Sequence, residues 1–260
     1  METVTHHGRT TAYRLARPDA AGPTALYVHG SGASHAVWAA QYGPDGPTHP
    51  AVAVDLSGHG ESEDVDTEAG PATLDAYADD VLAVARTTGA DVLIGNSLGG
   101  AVVQHVLLER KWVPAAAVLA GSGAKLAVRD DLREWLTADF DRAVEFLHGV
   151  GRLFQHPTER MRERSVAEMR ATGQAVTARD YLTCHRFDVR DRVSDIDVPV
   201  LAVVGEEDHL TPVAYHEFFA EELPNCTLSV IPDAAHLAMV ERPAAFNEAV
   251  AAFLADAVGQ

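Results

Sequence analysis

Six short apolar runs, each closed by Gly, Pro or Asp, alternate along this chain with segments whose apolar residues recur at helical spacing, and that alternation constrains the fold more than any other feature. The runs are TALYVHG (24–30), AVAVD (51–55), DVLIGN (91–96), AAAVLAG (115–121), VPVLAVVG (198–205) and TLSVIP (227–232). A short stretch that is apolar on both faces reads as a buried parallel strand. The helical segments fall at 72–87, 98–110, 212–222 and 243–258, the last two opening with Pro212 and Pro243 near a first turn. Strand alternating with helix predicts the α/β class, a mostly parallel, doubly wound sheet covered on both faces. Ahead of it, TVTHHG and TTAYRLA alternate like an antiparallel hairpin.

Residues 124–195 break the rhythm. They hold no convincing strand, and Leu132, Trp135, Leu136, Phe140, Val144 and Leu147 follow helical spacing. A structureless loop of that length is uncommon in a compact domain. The interval therefore predicts a helical cap inserted between two strands and placed over the strand ends, where α/β sheets bind ligands. The expected organisation is a core of 1–123 and 196–260 with a cap at 124–195. Charge divides the same way: residues 127–195 carry 12 Arg and 13 acids, whereas the rest of the chain holds 8 basic residues against 25 acids.

The net charge of −18 argues against a phosphate-backbone partner, because nucleic-acid binding needs basic surface. Only two lysines, Lys111 and Lys125, stand among 38 acids, a balance that resembles proteins of a high-salt cytoplasm, where self-repulsion is screened. No apolar stretch is long enough to span a membrane, and METVTHHGRTTAYRL lacks the basic and apolar regions of a leader. Cys184 and Cys226 are too few for a disulfide framework. A cytoplasmic location is expected.

The chemistry concentrates at GNSLGG (95–100). A serine on a sharp strand-to-helix turn sits in strained backbone, and side chains two residues either side would collide, which accounts for Gly95 and Gly99. Gly100 lets the following helix pack closely on the sheet, and the N-terminus of that helix offers backbone N–H groups to a developing oxyanion. A serine hydroxyl needs a base, and the base needs an acid to hold its tautomer. GEEDHLTP (205–212) delivers Asp208 to a loop at the end of a strand, with Glu206 and Glu207 as rivals. PDAAHLAMVERP (232–243) offers His236 after the last strand, with His209 and His216 the nearest alternatives. Serine, acid and histidine on successive strand ends is a far more specific pattern than any one of them.

With these pieces in place the chain resembles the α/β-hydrolase fold family nearly end to end. The matching stretches are HGSGAS (29–34), DLSGHGES (55–62), GNSLGG, GEEDHLTP and AAHLAMVERP (234–243). The resemblance implies Ser97 as nucleophile, Asp208 as acid and His236 as base. It also implies an oxyanion hole from the backbone N–H groups of Ser31 and Leu98, with Gly32 the alternative to Ser31. Such a site performs acyl transfer, so the expected partner is a small-molecule ester and the expected activity that of a carboxylesterase or lactonase. Carbon–carbon hydrolases of ring-cleavage products share the elbow but usually place tryptophan after the histidine; here it is Leu237. A non-turnover ligand receptor on the same fold and an acyl transferase are further readings.

The other marked residues have structural roles in this reading. His29 and His59 fix glycine-rich loops, Asp55 anchors the SGHG turn, and Trp38 packs. ESEDVDTEAG is a solvated acidic loop. Neither metal-ligand spacing nor a nucleotide-binding glycine loop occurs, so no metal and no cofactor is expected. Of the cap aromatics Trp135, Phe140, Phe146, Phe154, Tyr181 and Phe187, most should be core. Its twelve arginines should pair with neighbouring acids, leaving one or two to meet an anionic substrate.

Overall fold

The computed structural model describes residues 1–44 and 46–258. A leading hairpin of β1 (Glu2–His6) and β2 (Arg9–Ala16) turns at His7 and Gly8, both left-handed with φ of 47° and 77°, the geometry that matches strand twist in a two-residue turn. β3 (Ala25–Val28), α1 (Ala39–Tyr42), β4 (Ala51–Val54), α2 (Pro71–Thr88), β5 (Val92–Asn96), α3 (Leu98–Glu109) and β6 (Ala116–Ala120) follow. Four consecutive helices come next: α4 (Asp130–Ala138), α5 (Phe140–Leu147), α6 (Glu159–Thr172) and α7 (Gln174–Arg186). β7 (Val200–Gly205), α8 (Val213–Glu222), β8 (Cys226–Ile231), α9 (Ala238–Glu241) and α10 (Pro243–Val258) complete the chain.

All eight strands form one sheet in the order β1-β2-β4-β3-β5-β6-β7-β8. β2 pairs antiparallel with β1 and β4, and every later pairing is parallel. Each residue of β3 to β7 is buried, as the unbroken apolar runs require of strands covered on both sides. Alternate side chains feed two cores. Leu26, Val28, Leu93 and Leu119 meet Leu74, Tyr77, Val81, Val102 and Phe219 from α2, α3 and α8. Ala25, Tyr27, Ile94 and Val118 meet Phe246, Val250 and Phe253 from α10, with Trp38 beside them.

The helices α4 to α7 lie between β6 and β7, within the interval that breaks the sequence rhythm. Antiparallel contacts pin the two ends of the interval together: Val189 N donates to Ala124 O (2.8 Å), and Lys125 Nζ pairs with Asp188 (3.0 Å). Leu132, Leu136, Val144 and Leu147 extend the second core, whereas Cys184 and Phe187 from α7 join the first. The insertion therefore touches the hydrophobic interior on both sides of the sheet. Among its six aromatics Phe154 and Phe187 are buried, and Trp135, Phe140 and Phe146 pack half-buried.

Candidate active site

Parallel strands bring their C-terminal ends to one edge of the sheet, and the loops leaving β3, β5, β7 and β8 there carry Ser31, Ser97, Asp208 and His236. Ser97 sits between β5 and α3 with φ 56° and ψ −117°, a left-handed geometry rare for a side chain with a Cβ. Neighbours hold it there. Ser97 N donates to Ala120 O (3.0 Å), and its carbonyl accepts from Ser122 Oγ (2.9 Å). The glycines either side have no room for a side chain: a Cβ on Gly95 would overlap the Gly99 carbonyl, and a Cβ on Gly99 the Val28 carbonyl oxygen.

Among the acidic rivals the geometry is selective. Glu206 is exposed and Glu207 half-buried, whereas Asp208 is buried with Oδ2 at 2.8 Å from His236 Nδ1. Asp208 Oδ1 accepts from Leu210 N (2.8 Å) and Thr211 N (2.9 Å), and Thr211 Oγ1 donates to Oδ2 (2.7 Å). Burial on its own would raise the Asp208 pKa, but His236 and these donors hold it below the ordinary carboxylate value. The carboxylate stays charged and aimed at Nδ1, leaving Nε2 as the other ring nitrogen of His236.

The competing histidines have other employment. His216 is buried, takes a hydrogen bond from Ser122 N (3.1 Å) on Nε2, and is driven by burial to a pKa of about 4. His209 is exposed and lies against Gly151. His29 and His59 bond loop carbonyls, and Asp55 accepts from His35 N (2.7 Å) and Glu61 N (3.1 Å). Trp38 is fully buried.

The backbone donors differ as well. Ser31 N and Leu98 N make no hydrogen bond among the described residues, while Gly32 N lies 3.4 Å from Asp180 Oδ2. Ser31, Ser97 and His236 all line one cavity of about 260 Å³, walled by Ala36, Val37, Leu153, Met169, Tyr181 and Leu237. Tyr181 is the one aromatic of the insertion on this wall. Among the described residues no cluster of His, Cys, Asp and Glu has the geometry to hold a metal.

Several supporting residues carry no signal in the sequence. Glu241 accepts from Ala235 N (2.8 Å) ahead of His236 and from Gln155 N and His156 N in the insertion. His236 N in turn donates to Arg152 O (3.1 Å). Ser122, Thr211 and Glu241 are ordinary residue types on loops or a short helix, and only their meeting in space distinguishes them.

The sequence pattern of the alpha/beta hydrolase family matches residues 25–249. The chain belongs to that family. A pimeloyl-(acyl-carrier protein) methyl ester esterase of Pectobacterium atrosepticum is 29% identical over 250 residues, 90% of this chain and 96% of its own. Among solved structures, a thermophilic esterase superposes with a TM-score of 0.87 at 32% identity, over 98% of this chain and 97% of its own. An N-acyl homoserine lactone degrading enzyme gives 0.81 at 26%, covering 97% and 100%. This alpha/beta hydrolase is thus an enzyme whose relatives include ester and lactone hydrolases, and its mostly parallel sheet is the family's fold. Among the described residues no helix is long and apolar enough to cross a membrane.

Proposed function

We propose that the protein hydrolyses small to medium carboxylic esters or lactones through Ser97, His236 and Asp208, in a core of 1–123 and 196–260 beneath a cap of 124–195. The observation that carries this reading is the buried 2.8 Å contact between His236 Nδ1 and Asp208 at the wall of the cavity that Ser97 also lines. In the reaction His236 Nε2 takes the Ser97 proton as Oγ bonds to the substrate carbonyl carbon, and the carbonyl oxygen becomes an oxyanion. The N–H groups of Ser31 and Leu98 receive that charge. Collapse breaks the bond to the leaving oxygen, which takes the proton from Nε2 and departs as an alcohol. Water then gives a proton to Nε2 as its oxygen bonds to the acyl carbon; the bond from that carbon to Ser97 Oγ breaks, Oγ takes the proton back from Nε2, and the carboxylic acid is released.

The test is hydrolysis of p-nitrophenyl esters from acetate to decanoate by wild type, Ser97→Ala and His236→Ala. Sustained turnover lost in both variants supports the reading. Fluorophosphonate labelling of Ser97 without turnover would point instead to carbon–carbon cleavage or to a receptor.

Substrate charge is read on α6. Six of the twelve arginines of the insertion pair with acids, namely Arg129, Arg133, Arg170, Arg179, Arg190 and Arg192. Arg164 instead lines the cavity, one turn before Glu168, and neither makes an ion pair among the described residues. Arg164→Ala is expected to raise KM for an ester bearing a free carboxylate by about 2- to 5-fold, the scale of an exposed charge pair, and to leave a neutral ester of equal length unchanged. Steady-state kinetics on the two esters check this.

The net charge of −18 and the two unpaired cysteines fit a reducing cytoplasm rich in salt. Raising salt from about 0.1 M to about 1 M shortens the Debye length from about 10 Å to about 3 Å. Self-repulsion falls accordingly, and calorimetry should show Tm rising across that range.

A further inference from the structure

We propose that Asp180, a residue of the inserted helix α7, is a positioning residue for the oxyanion hole: its carboxylate holds the 30–32 turn so that the Ser31 N–H faces the cavity. The inference rests on Ser31 N as an oxyanion donor. Thr177, Asp180 and Cys184 recur at helical spacing and form one buried stripe of α7 turned toward the loop after β3. Asp180 Oδ2 accepts from His59 Nε2 (2.9 Å) and Gly32 N (3.4 Å), and Oδ1 accepts from the Tyr77 hydroxyl (2.7 Å). Cys184 Sγ lies 3.9 Å from Ser31 Oγ. Gly32, at φ 67°, packs so closely on the insertion that a Cβ would come within 3.0 Å of Met169 Cγ and 3.5 Å of Thr177 Cγ2.

The peptide before Ser31 is gripped at its other end. His29 Nε2 accepts from Leu56 N (3.0 Å), so its Nδ1 carries the proton and donates to Gly30 O (2.8 Å). A trans peptide points its N–H opposite its C=O, so a Gly30 carbonyl fixed toward His29 turns the Ser31 N–H the other way. The following peptide is fixed at Gly32 N by Asp180. The two bonds together leave the Ser31 N–H no freedom to turn from the cavity, and a donor held before reaction needs no reorganisation when charge develops.

The charge of the cluster supports the same arrangement. His59 faces an acceptor on each side, the Ser57 carbonyl at Nδ1 (3.2 Å) and Asp180 at Nε2, so both ring nitrogens carry protons. Burial disfavours that charge, yet the Asp180 carboxylate holds the His59 pKa above its ordinary value. Burial and the neighbouring His59 push His29 down to about 4, in keeping with its neutral role. Asp180, His59, His29 and Tyr77 are all fully or almost fully buried. An ion pair so placed is weak evidence for stability but well suited to specifying one geometry.

The experiment compares wild type with Asp180→Asn, which keeps the shape but removes the charge and one acceptor. Thr183→Val is the structural control: Thr183 is also buried on α7 and accepts from Gly70 N (2.8 Å), away from the oxyanion turn. For p-nitrophenyl butyrate, Asp180→Asn should lower kcat by about 10- to 100-fold with KM within about 2-fold, short of the about 10²- to 10³-fold that losing a donor outright costs. A boronic-acid analogue of the tetrahedral state should weaken by the same factor as kcat/KM. Thr183→Val should lose Tm while keeping kcat. Hydrogen exchange on wild type needs no variant to fold: the Gly32 amide should be protected in the free enzyme, and the Ser31 amide only once the analogue is bound. An unchanged kcat in Asp180→Asn, an equal kcat loss in Thr183→Val, or free exchange at Gly32 would overturn the proposal. Wild type that neither turns over the ester nor labels at Ser97 would overturn the hydrolase reading as well.

Discussion

Ser97→Ala is expected to lower kcat for ester hydrolysis by on the order of 10⁴- to 10⁶-fold, and His236→Ala by a similar factor, because the serine and its base act as one unit. The double variant should therefore be hardly slower than either single one. Asp208→Asn should cost about 10⁴-fold. The Leu210 and Thr211 amides both donate to Oδ1, so the amide would be turned to keep its oxygen toward them, and Thr211 Oγ1, which donates to Oδ2 in the wild type, would have to accept from the new NH₂ instead. That NH₂ would then face His236 Nδ1, forcing the imidazole into the tautomer that carries hydrogen on Nε2, the wrong form to accept the Ser97 proton. Single-turnover kinetics with p-nitrophenyl acetate separate this from a binding defect: the acylation rate should fall while KM changes little. Equal rates in wild type and Ser97→Ala would remove the serine from the mechanism.

Gly99→Ala and Gly95→Ala should be among the most damaging single-methyl changes to folding. The added Cβ at Gly99 would meet the backbone carbonyl oxygens of Val28 and His29, and at Gly95 the backbone of Gly99 and Gly100. Those neighbours are backbone atoms at the end of β3, of the residue after it and of the first turn of α3, and have no side-chain freedom with which to yield. A loss above about 4 kcal/mol, in the exceptional range for a point change, is expected by denaturant unfolding of whatever soluble protein is obtained. Gly89→Ala is the contrast. Its left-handed φ of 70° is strained for alanine, but nothing lies within 4 Å of the added carbon, so only about 1 kcal/mol should be lost. Comparable losses at positions 89 and 99 would mean that backbone conformation, not crowding at the elbow, dictates glycine.

The sheet was legible because each central strand is apolar on both faces. The runs at 24–30, 51–55, 91–96, 115–121, 198–205 and 227–232 contain β3 to β7 entirely and all but the first residue of β8, Cys226, with one or two residues of excess at most ends. Strand order was not legible in the same way, since it depends on which apolar faces meet. The site divides along the same line. Gly95 is dictated within the elbow, since its Cβ would meet Gly99 and Gly100, whereas Gly99 is dictated by Val28 and His29 at the end of another strand, and both leave the same trace of small residues around Ser97 at φ 56°. Asp208 stands beside two glutamates in the sequence, and its preference over them is a matter of burial and direction.

What the sequence by itself determined is whatever short-range physics dictates: buried parallel strands, the breaks between them, the glycine elbow, and the serine, acid and histidine that follow strand ends in order. The tertiary structure alone decided the burial and direction that set Asp208 apart from Glu206 and Glu207, which arginine lines the cavity, and that Asp180, from an unremarkable helical stretch, reaches Gly32 across 148 residues. Backbone strain and apolar periodicity act over a few residues and leave a trace in order and spacing. A contact between helix α7 and the 30–32 turn is set by packing of distant segments, and any buried acid at that helical position would look the same in the chain.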